Sequence, residues 1–224
     1  MKVAIFDLDQ TLVDSLERFF NAFNKSLTKF KGNQVDFKTF FEKYSEDKLD
    51  DLLPPNIQLH VFWDYFLKIY DKVEGSIRLI EGVKETLEKL YSCGIKIVIV
   101  TGRKSDEKVI WNQLEKLGIA KYVEKVYTAK SDNDISKGFS KTNLLRKILK
   151  DFKITPCDAF FVGDYRRDMK SAKSLGLYVI GVLTGHESKE VLYEYGADEV
   201  ILSVGDLNKT KLKICEDDRG SRKH

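Results

Sequence analysis

An α/β fold with a parallel sheet is the architecture that this sequence predicts, on two observations. First, six short runs are almost continuously apolar, as in parallel strands that are covered on both faces. Second, amphipathic helical patterns separate these runs, and Gly94, Gly118 and Gly176 end three of the patterns, where the left-handed conformation is favoured. Strands and helices that alternate in this way form an open parallel sheet, whose ligand site lies beyond the carboxyl ends of the strands.

The predicted elements follow one another along the chain. The strands are rich in Val, Ile and Phe and cover residues 2–8, 95–100, 123–128, 159–162, 178–183 and 199–202. The helices repeat apolar residues in steps of three and four and cover residues 83–91, 107–117, 142–152 and 166–175.

A long interval between the first two strands breaks this alternation. It exceeds eighty residues, whereas a strand–helix–strand crossover needs about thirty. The surplus, residues 15–77, is too long for a structureless loop and repeats apolar residues at helical spacing, so it predicts an inserted helical unit. Half of all Phe, Tyr and Trp residues fall within it, and we expect most of them to pack in its core.

Composition excludes several classes of function. The formal net charge is only +3, whereas a dedicated nucleic-acid binder carries a larger excess of basic residues. Three His and three Cys, none close to another in sequence, exclude the usual zinc-site spacings and leave carboxylates, hydroxyls and lysines for chemistry. No run reaches the ~18 apolar residues of a membrane span, and the first apolar run is too short for a secretion signal. We therefore expect a cytoplasmic protein without a membrane or nucleic-acid partner.

The end of the chain, residues 208–224, differs from the rest. It carries six basic and three acidic side chains and little apolar content, which predicts a charged, flexible tail. The predicted organisation is therefore a discontinuous α/β core domain of residues 1–14 and 78–207, a helical domain of residues 15–77, and this tail.

Two carboxylates, Asp7 and Asp9, stand at the end of the first predicted strand. Two negative charges so close together are unfavourable unless a cation or a proton is shared between them, and a hard ion such as Mg²⁺ meets that need. The alternative is a solvated acidic turn in which Asp14 or Ser15 caps the next helix.

Three further groups follow at comparable places. Thr101 and Gly102 end the second strand, where a hydroxyl and backbone amides can hold phosphate oxygens. Lys141 stands at the start of a helix, from which it can reach back over the site. Asp164 and Asp168 flank another junction between strand and helix. Plain turns and, for Asp168, a favourable charge at a helix N-terminus are the alternatives.

In this order, these residues resemble the haloacid dehalogenase superfamily. The resemblance rests on Asp-x-Asp-x-Thr at residues 7–11, Thr-Gly, a helix lysine and Gly-Asp-x-x-x-Asp at residues 163–168, and it spans about residues 2–207. Within the superfamily, the chain is similar to the phosphoglycolate-phosphatase group. The similarity implies a Rossmann-like core with a type-1 helical cap, here residues 15–77. One departure is Gln10, since the group usually has Gly at that position.

The resemblance implies a role for each acidic residue. Asp7 would be the nucleophile that takes the phosphoryl group as an aspartyl-phosphate. Asp9 would protonate the leaving oxygen and then deprotonate the attacking water. Mg²⁺ would be held by the Asp7 carboxylate, the Asp9 backbone carbonyl and Asp164. Asp168 would act near the Mg²⁺ site through a bound water. Thr11 would support the residues that hold the metal without binding the metal itself.

The phosphoryl oxygens would be bound, on the same resemblance, by Thr101, the Gly102 backbone amide and Lys141. Lys137, four residues earlier than Lys141, is the alternative lysine. Charge neutralisation and in-line positioning are what phosphoryl transfer needs most, and these groups supply both.

The function that follows is Mg²⁺-dependent hydrolysis of a small phosphorylated metabolite, with phosphoglycolate as the group-based candidate, by a monomer or homodimer. A sugar-phosphate mutase and a 2-haloacid dehalogenase are alternatives on the same fold. Asp9 favours phosphate chemistry, because dehalogenases that resemble this family lack that aspartate. A phospho-acceptor receiver domain is about half as long, and the intact set of site residues opposes an inert scaffold.

Overall fold

The computed structural model describes residues 1–131 and 140–212, and its centre is a parallel sheet. Along the chain the strands are β1 (Val3–Phe6), β2 (Val13–Asp14), β3 (Arg78–Leu79), β4 (Lys96–Thr101), β5 (Val123–Thr128), β6 (Ala159–Gly163), β7 (Tyr178–Val182) and β8 (Glu199–Ile201). Six of them form the central sheet in the order β5-β4-β1-β6-β7-β8, and every neighbouring pair is parallel. The predicted strands are all present, and the predicted α/β fold is confirmed.

Helices surround this sheet and also fill the interval between its first two strands. They are α1 (Leu16–Lys29), α2 (Phe37–Ser45), α3 (Leu59–Ile69), α4 (Val83–Ser92), α5 (Glu107–Lys116), α6 (Thr142–Asp151), α7 (Arg166–Lys173) and α8 (Lys189–Glu194). Within the described ranges, no helix combines the length and the apolar character that crossing a bilayer requires. Lys137 and residues 213–224 of the predicted tail lie outside the described residues.

Two apolar cores sandwich the sheet, because side chains of a strand point alternately to its two faces. Ala4 and Phe6 of β1 pack in the core with α4 and α5, whereas Val3 and Ile5 pack in the core with α6, α7 and α8. All four side chains are fully buried or nearly so, which explains why β1 is a continuous apolar run. From β1 the sheet continues to β4 and β5 on one side and to β6, β7 and β8 on the other. The strand order therefore reverses its direction at β1, and folds of this kind bind ligands in the crevice at such a point.

Helices α1, α2 and α3 form a third core that is largely aromatic. Phe23, Phe40 and Phe62 are fully buried in it, and their rings contact one another through Phe23, whose ring centroid lies 5.7 Å from that of Phe40 and 5.4 Å from that of Phe62. The residues 15–77 are thus mainly helical and have a core of their own. Their designation as a separate domain stays a prediction.

A short antiparallel ribbon joins the two ends of this helical segment. β2 pairs with β3, Val13 opposite Leu79 and Asp14 opposite Arg78. The backbone N–H of Ile80 also donates to the carbonyl of Leu12 at 3.1 Å. The chain therefore enters and leaves the helical segment at adjacent points.

Truncation of Phe62 to alanine is expected to lower the free energy of unfolding by about 3–5 kcal/mol, because it leaves a cavity in the aromatic core. Phe41→Ala is the matched control, since the Phe41 side chain is 46% exposed and its loss should change stability by less than about 1 kcal/mol. Denaturant unfolding monitored by fluorescence measures both. Equal effects of the two substitutions would contradict the assignment of Phe62 to a closely packed core.

Candidate active site

The predicted site residues meet at one edge of the sheet, because the strands that carry them are neighbours. Phe6 at the end of β1 pairs with Ile99 of β4 on one side and with Val162 of β6 on the other. The residues that end or follow these three strands therefore lie at the same level beside one another; they are Asp7, Thr101 and Asp164. The backbone N–H of Asp7 donates to the carbonyl of Val162 at 2.9 Å and fixes its position against β6.

Lys141 joins two of the four aspartates. Its ammonium group donates to Oδ1 of Asp7 at 2.5 Å and to Oδ2 of Asp168 at 2.6 Å. All three side chains are buried, and the two carboxylates raise the pKa of Lys141 against the opposing effect of burial. The ammonium group is therefore charged and fixed between the two acids.

Helix α7 holds this lysine in place from the side. The hydroxyl of Ser171 accepts a hydrogen bond from the backbone N–H of Lys141 at 3.2 Å and donates to the carbonyl of Arg167 at 2.7 Å. Since Asp168 stands in the first turn of α7, one helix positions both the acid and the start of α6. Helix α7 therefore holds Lys141 at two places, through Ser171 at its backbone and through Asp168 at its ammonium group.

Asp164 is held by neighbours on two other loops. The hydroxyl of Thr11 donates to Oδ1 of Asp164 at 2.8 Å. The backbone of Gly185 passes so close that a Cβ atom at that position would collide with the Asp164 carboxylate. Thr11 therefore acts on Asp164, and residue 185 has room for glycine alone.

A surplus of negative charge marks this place as suited to a cation. Burial raises the pKa of Asp164 well above its ordinary value, and the charges of Asp7 and Asp168 add to the effect. Burial also raises the pKa of Asp168 to about 7 and that of Asp7 above its ordinary range, although Lys141 opposes both shifts. Three buried carboxylates share the single positive charge of Lys141. A hard divalent ion with oxygen ligands fits this donor set.

The end of β4 supplies the predicted phosphate-binding groups. Thr101 is buried, and its hydroxyl accepts a hydrogen bond from the backbone N–H of Arg103 at 3.2 Å. A Cβ atom built on Gly102 would meet no atom within 4 Å, so open space lies beside this backbone. Backbone amides at the end of a strand can bind an anion, and Gly102 is the candidate here.

Asp9, in contrast, is paired with an arginine that the sequence analysis did not select. Arg103 donates from Nε to Oδ2 of Asp9 at 2.7 Å and from Nη2 to Oδ1 at 2.5 Å. Ser15 donates to the same Oδ1 at 2.6 Å, and the hydroxyl of Tyr70 lies 3.3 Å away. Burial would raise the pKa of Asp9, but the charge and hydrogen bonds of Arg103 lower it below its usual value.

Gln10, which departs from the usual glycine, adopts the conformation that favours glycine. Its φ angle is +56°, in the left-handed region, where a residue other than glycine is strained by roughly 1 kcal/mol. The hydroxyl of Thr184 donates to the Gln10 carbonyl at 2.5 Å and helps to hold this turn. Gln10 thus forms the turn between Asp9 and Thr11.

The end of α2 approaches the site from the helical segment. The ring of Tyr44 lies 4.7 Å from the ring of His186, and Oδ1 of Asp47 lies 3.8 Å from His186 Nε2. Arg166 donates to Glu187 from Nε at 2.5 Å and lies 3.8 Å from Asp47. Burial lowers the pKa of His186, so this ring is neutral at neutral pH. These contacts join the end of α2 to the loop that carries Gly185.

Comparison with known proteins identifies the family. The family model of haloacid dehalogenase-like hydrolases matches residues 4–182. The chain belongs to that family. It is 26% identical over 230 residues to the phosphoglycolate phosphatase of Salmonella typhi, a match that covers 90% of this chain and 89% of the relative.

Solved structures agree with this membership. The structure of a predicted phosphatase from Clostridium acetobutylicum superposes with a TM-score of 0.75 at 26% identity and covers 93% of this chain and 96% of its own. That of a predicted phosphoglycolate phosphatase from Haemophilus somnus has a TM-score of 0.72 at 23% identity, with coverages of 93% and 97%, and shows the common fold. The predicted superfamily, its Rossmann-like fold and a hydrolase of the phosphatase type are confirmed.

Proposed function

We propose that this hydrolase cleaves a small phosphomonoester in a Mg²⁺-dependent reaction with an aspartyl-phosphate intermediate on Asp7. The observation that supports it most is the chain of contacts from Asp7 through Lys141 to Asp168, with Asp164 beside it, at the carboxyl edge of a parallel sheet. This arrangement offers a nucleophile, a fixed positive charge and oxygen ligands for a metal within one buried place.

Asp7 performs the first half of the proposed reaction. A carboxylate oxygen of Asp7 forms a bond to phosphorus while the bond from phosphorus to the leaving oxygen breaks. Lys141, Thr101 and the Gly102 amide hold the phosphoryl oxygens, where they stabilise the charge that spreads over them in the transition state.

Asp9 is the general acid of the first step of the proposed reaction and the general base of the second. To act as the acid it must first take up a proton against the charge of Arg103, which favours the ionised carboxylate. It then gives this proton to the leaving oxygen of the alcohol, and as a carboxylate it takes a proton from the water that hydrolyses the aspartyl-phosphate. Inorganic phosphate and the Asp7 carboxylate are the products of the second half. A mutase would use the same residues but return the phosphoryl group to a sugar.

Mg²⁺, when bound, would neutralise charge on the phosphoryl group. The Asp7 carboxylate, the Asp9 backbone carbonyl and Asp164 would hold it. Thr11 fixes the orientation of Asp164 through its 2.8 Å hydrogen bond. Asp168 would hold the Lys141 ammonium group in place, through their 2.6 Å hydrogen bond.

Residues 15–77 would act as the cap that selects the leaving group, above a core domain of residues 1–14 and 78–207. The contacts of Tyr70 with Asp9 and of Tyr44 with His186 support this role, since they bring the helical segment to the catalytic edge. Phosphoglycolate is the first substrate to examine, because curated relatives that match over 89% of their length carry that activity.

Phosphate release from phosphoglycolate, p-nitrophenyl phosphate and a panel of phosphorylated metabolites tests the proposal. We expect turnover with Mg²⁺, loss of at least about 10³-fold in excess EDTA, and recovery when Mg²⁺ is restored. Acid quenching during turnover should trap a phosphoryl group on the peptide that contains Asp7. Full activity in EDTA would refute the metal requirement. Halide release from 2-haloacids without phosphate release would favour the dehalogenase. Transfer of the phosphoryl group between hydroxyls of a sugar phosphate would favour the mutase.

A further inference from the structure

Arg103 follows directly after the Thr101–Gly102 pair, and its contacts extend beyond the proposed chemistry. The guanidinium group is almost fully buried and binds both oxygens of the Asp9 carboxylate, as a two-pronged fork. Such a pair fixes the plane and direction of the carboxylate, which one hydroxyl contact from Ser15 would not do alone. The orientation of Asp9 therefore depends on where the guanidinium group is held.

The guanidinium group is itself held by the end of helix α3 and by α5. Nη1 of Arg103 donates to Gln113 of α5 at 2.8 Å and to Asp71, just after α3, at 3.4 Å. The ring of Tyr70 lies over the guanidinium group at 4.8 Å from its carbon, a cation–π contact. Asp71 accepts a further hydrogen bond from Ser105. Three contacts that fix Arg103, with Tyr70, Asp71 and Gln113, thus come from outside its own loop.

We propose that Arg103 is the positioning residue for Asp9, and that it transmits the docking of the end of α3 to this aspartate. When Tyr70 and Asp71 are in place, the guanidinium fork directs the Asp9 carboxylate at the leaving oxygen and at the attacking water. This inference rests on the proposed function, because Asp9 is the acid and base of that reaction. No part of it requires Arg103 to touch the substrate.

The dependence of kcat/KM on the leaving group tests this role. An alkyl phosphate needs a proton on its leaving oxygen, whereas p-nitrophenyl phosphate releases a stable anion. For Arg103→Met we expect kcat/KM to fall about 10²-fold or more on glycerol phosphate or phosphoglycolate, whichever the wild type turns over, and less than about 10-fold on p-nitrophenyl phosphate. On p-nitrophenyl phosphate, kcat should fall more than kcat/KM, and the phosphorylated enzyme should accumulate, because water activation also depends on Asp9.

Three other variants make the result decisive. Arg103→Lys keeps the charge without the fork and should recover part of the loss, and it carries the test if Arg103→Met does not fold. Asp71→Asn weakens the contacts of this side chain with Arg103 and Ser105 and should give the same pattern at smaller size. Lys108→Met is the matched control: Lys108 is an exposed cation in the first turn of α5, on the same stretch of chain, so its loss should leave both substrates unaffected.

Equal losses on the two substrates in both Arg103 variants would overturn the positioning role and would show that Arg103 serves the fold alone. That result is distinct from failure of the proposed function, in which the wild type itself hydrolyses neither ester. In that second case, both the function and the role of Arg103 would be rejected.

Discussion

Asp7→Asn is expected to lower phosphate release by at least about 10⁴-fold without unfolding the protein. An amide has no charge and is a very weak nucleophile, so the covalent intermediate cannot form at a useful rate. The substitution keeps the shape of the side chain, and the backbone hydrogen bond from residue 7 to Val162 remains available. Steady-state assays and circular dichroism measure the two expectations together.

Asp14→Asn is the matched control for this prediction. It makes the same chemical change seven residues later, but the Asp14 side chain is 47% exposed and lies on the β2–β3 ribbon. We expect turnover within about twofold of the wild type. Substantial activity in Asp7→Asn, with a folded protein, would reject the aspartyl-phosphate mechanism and leave direct attack by water.

Lys141→Met is expected to cost both turnover and stability. Without the ammonium group, Asp7 and Asp168 remain buried with no positive partner, and breaking such a buried pair removes about 3–5 kcal/mol of stability. The phosphoryl group also loses a fixed positive charge, so turnover should fall by roughly 10³-fold. Denaturant unfolding in EDTA measures the first effect, since an added divalent ion would offset part of the repulsion.

Lys147→Met provides the comparison on the same helix. Lys147 is 51% exposed and pairs with Asp151 across one turn of α6, an interaction worth less than about 1 kcal/mol. Its substitution should leave turnover unchanged. If Lys141→Met were as active and as stable as Lys147→Met, Lys141 could not be the lysine of the site, and Lys137 would become the residue to substitute next.

The strand ends explain why much of the site could be predicted from sequence. Buried parallel strands have a strong apolar signature, and chemistry-bearing residues directly after them must share one edge of the sheet. Asp7, Thr101 and Asp164 follow from this rule. Lys141 needed the further expectation of a helix that starts at the same edge, which α6 fulfils.

The contacts of Arg103 could not be predicted in this way. Its partner Asp9 lies 94 positions earlier in the chain, and Asp71 lies 32 positions earlier in the helical segment. No periodicity relates these residues, because their proximity depends on how the helical segment docks. The only available signal was a cation beside the Thr-Gly pair.

Short elements were missed for a different reason. Helix α8 has six residues, fewer than two turns and too few to establish an amphipathic pattern, although Ser188 caps it through a hydrogen bond from Val191. The β2–β3 ribbon has two residues in each strand, and its pairing is set by distant parts of the chain. Neither element leaves a periodic trace in the sequence.

The β2–β3 ribbon has a consequence for how this enzyme type can diversify. Because Asp14 and Arg78 are directly opposite one another, the chain leaves the sheet layer and returns to it at a single point. The segment between them can change in length without altering the order of the strands or the end of β1 that carries Asp7. If the proposed function holds, the segment that meets the alcohol can therefore be replaced at this ribbon while the residues proposed to transfer the phosphoryl group stay in place.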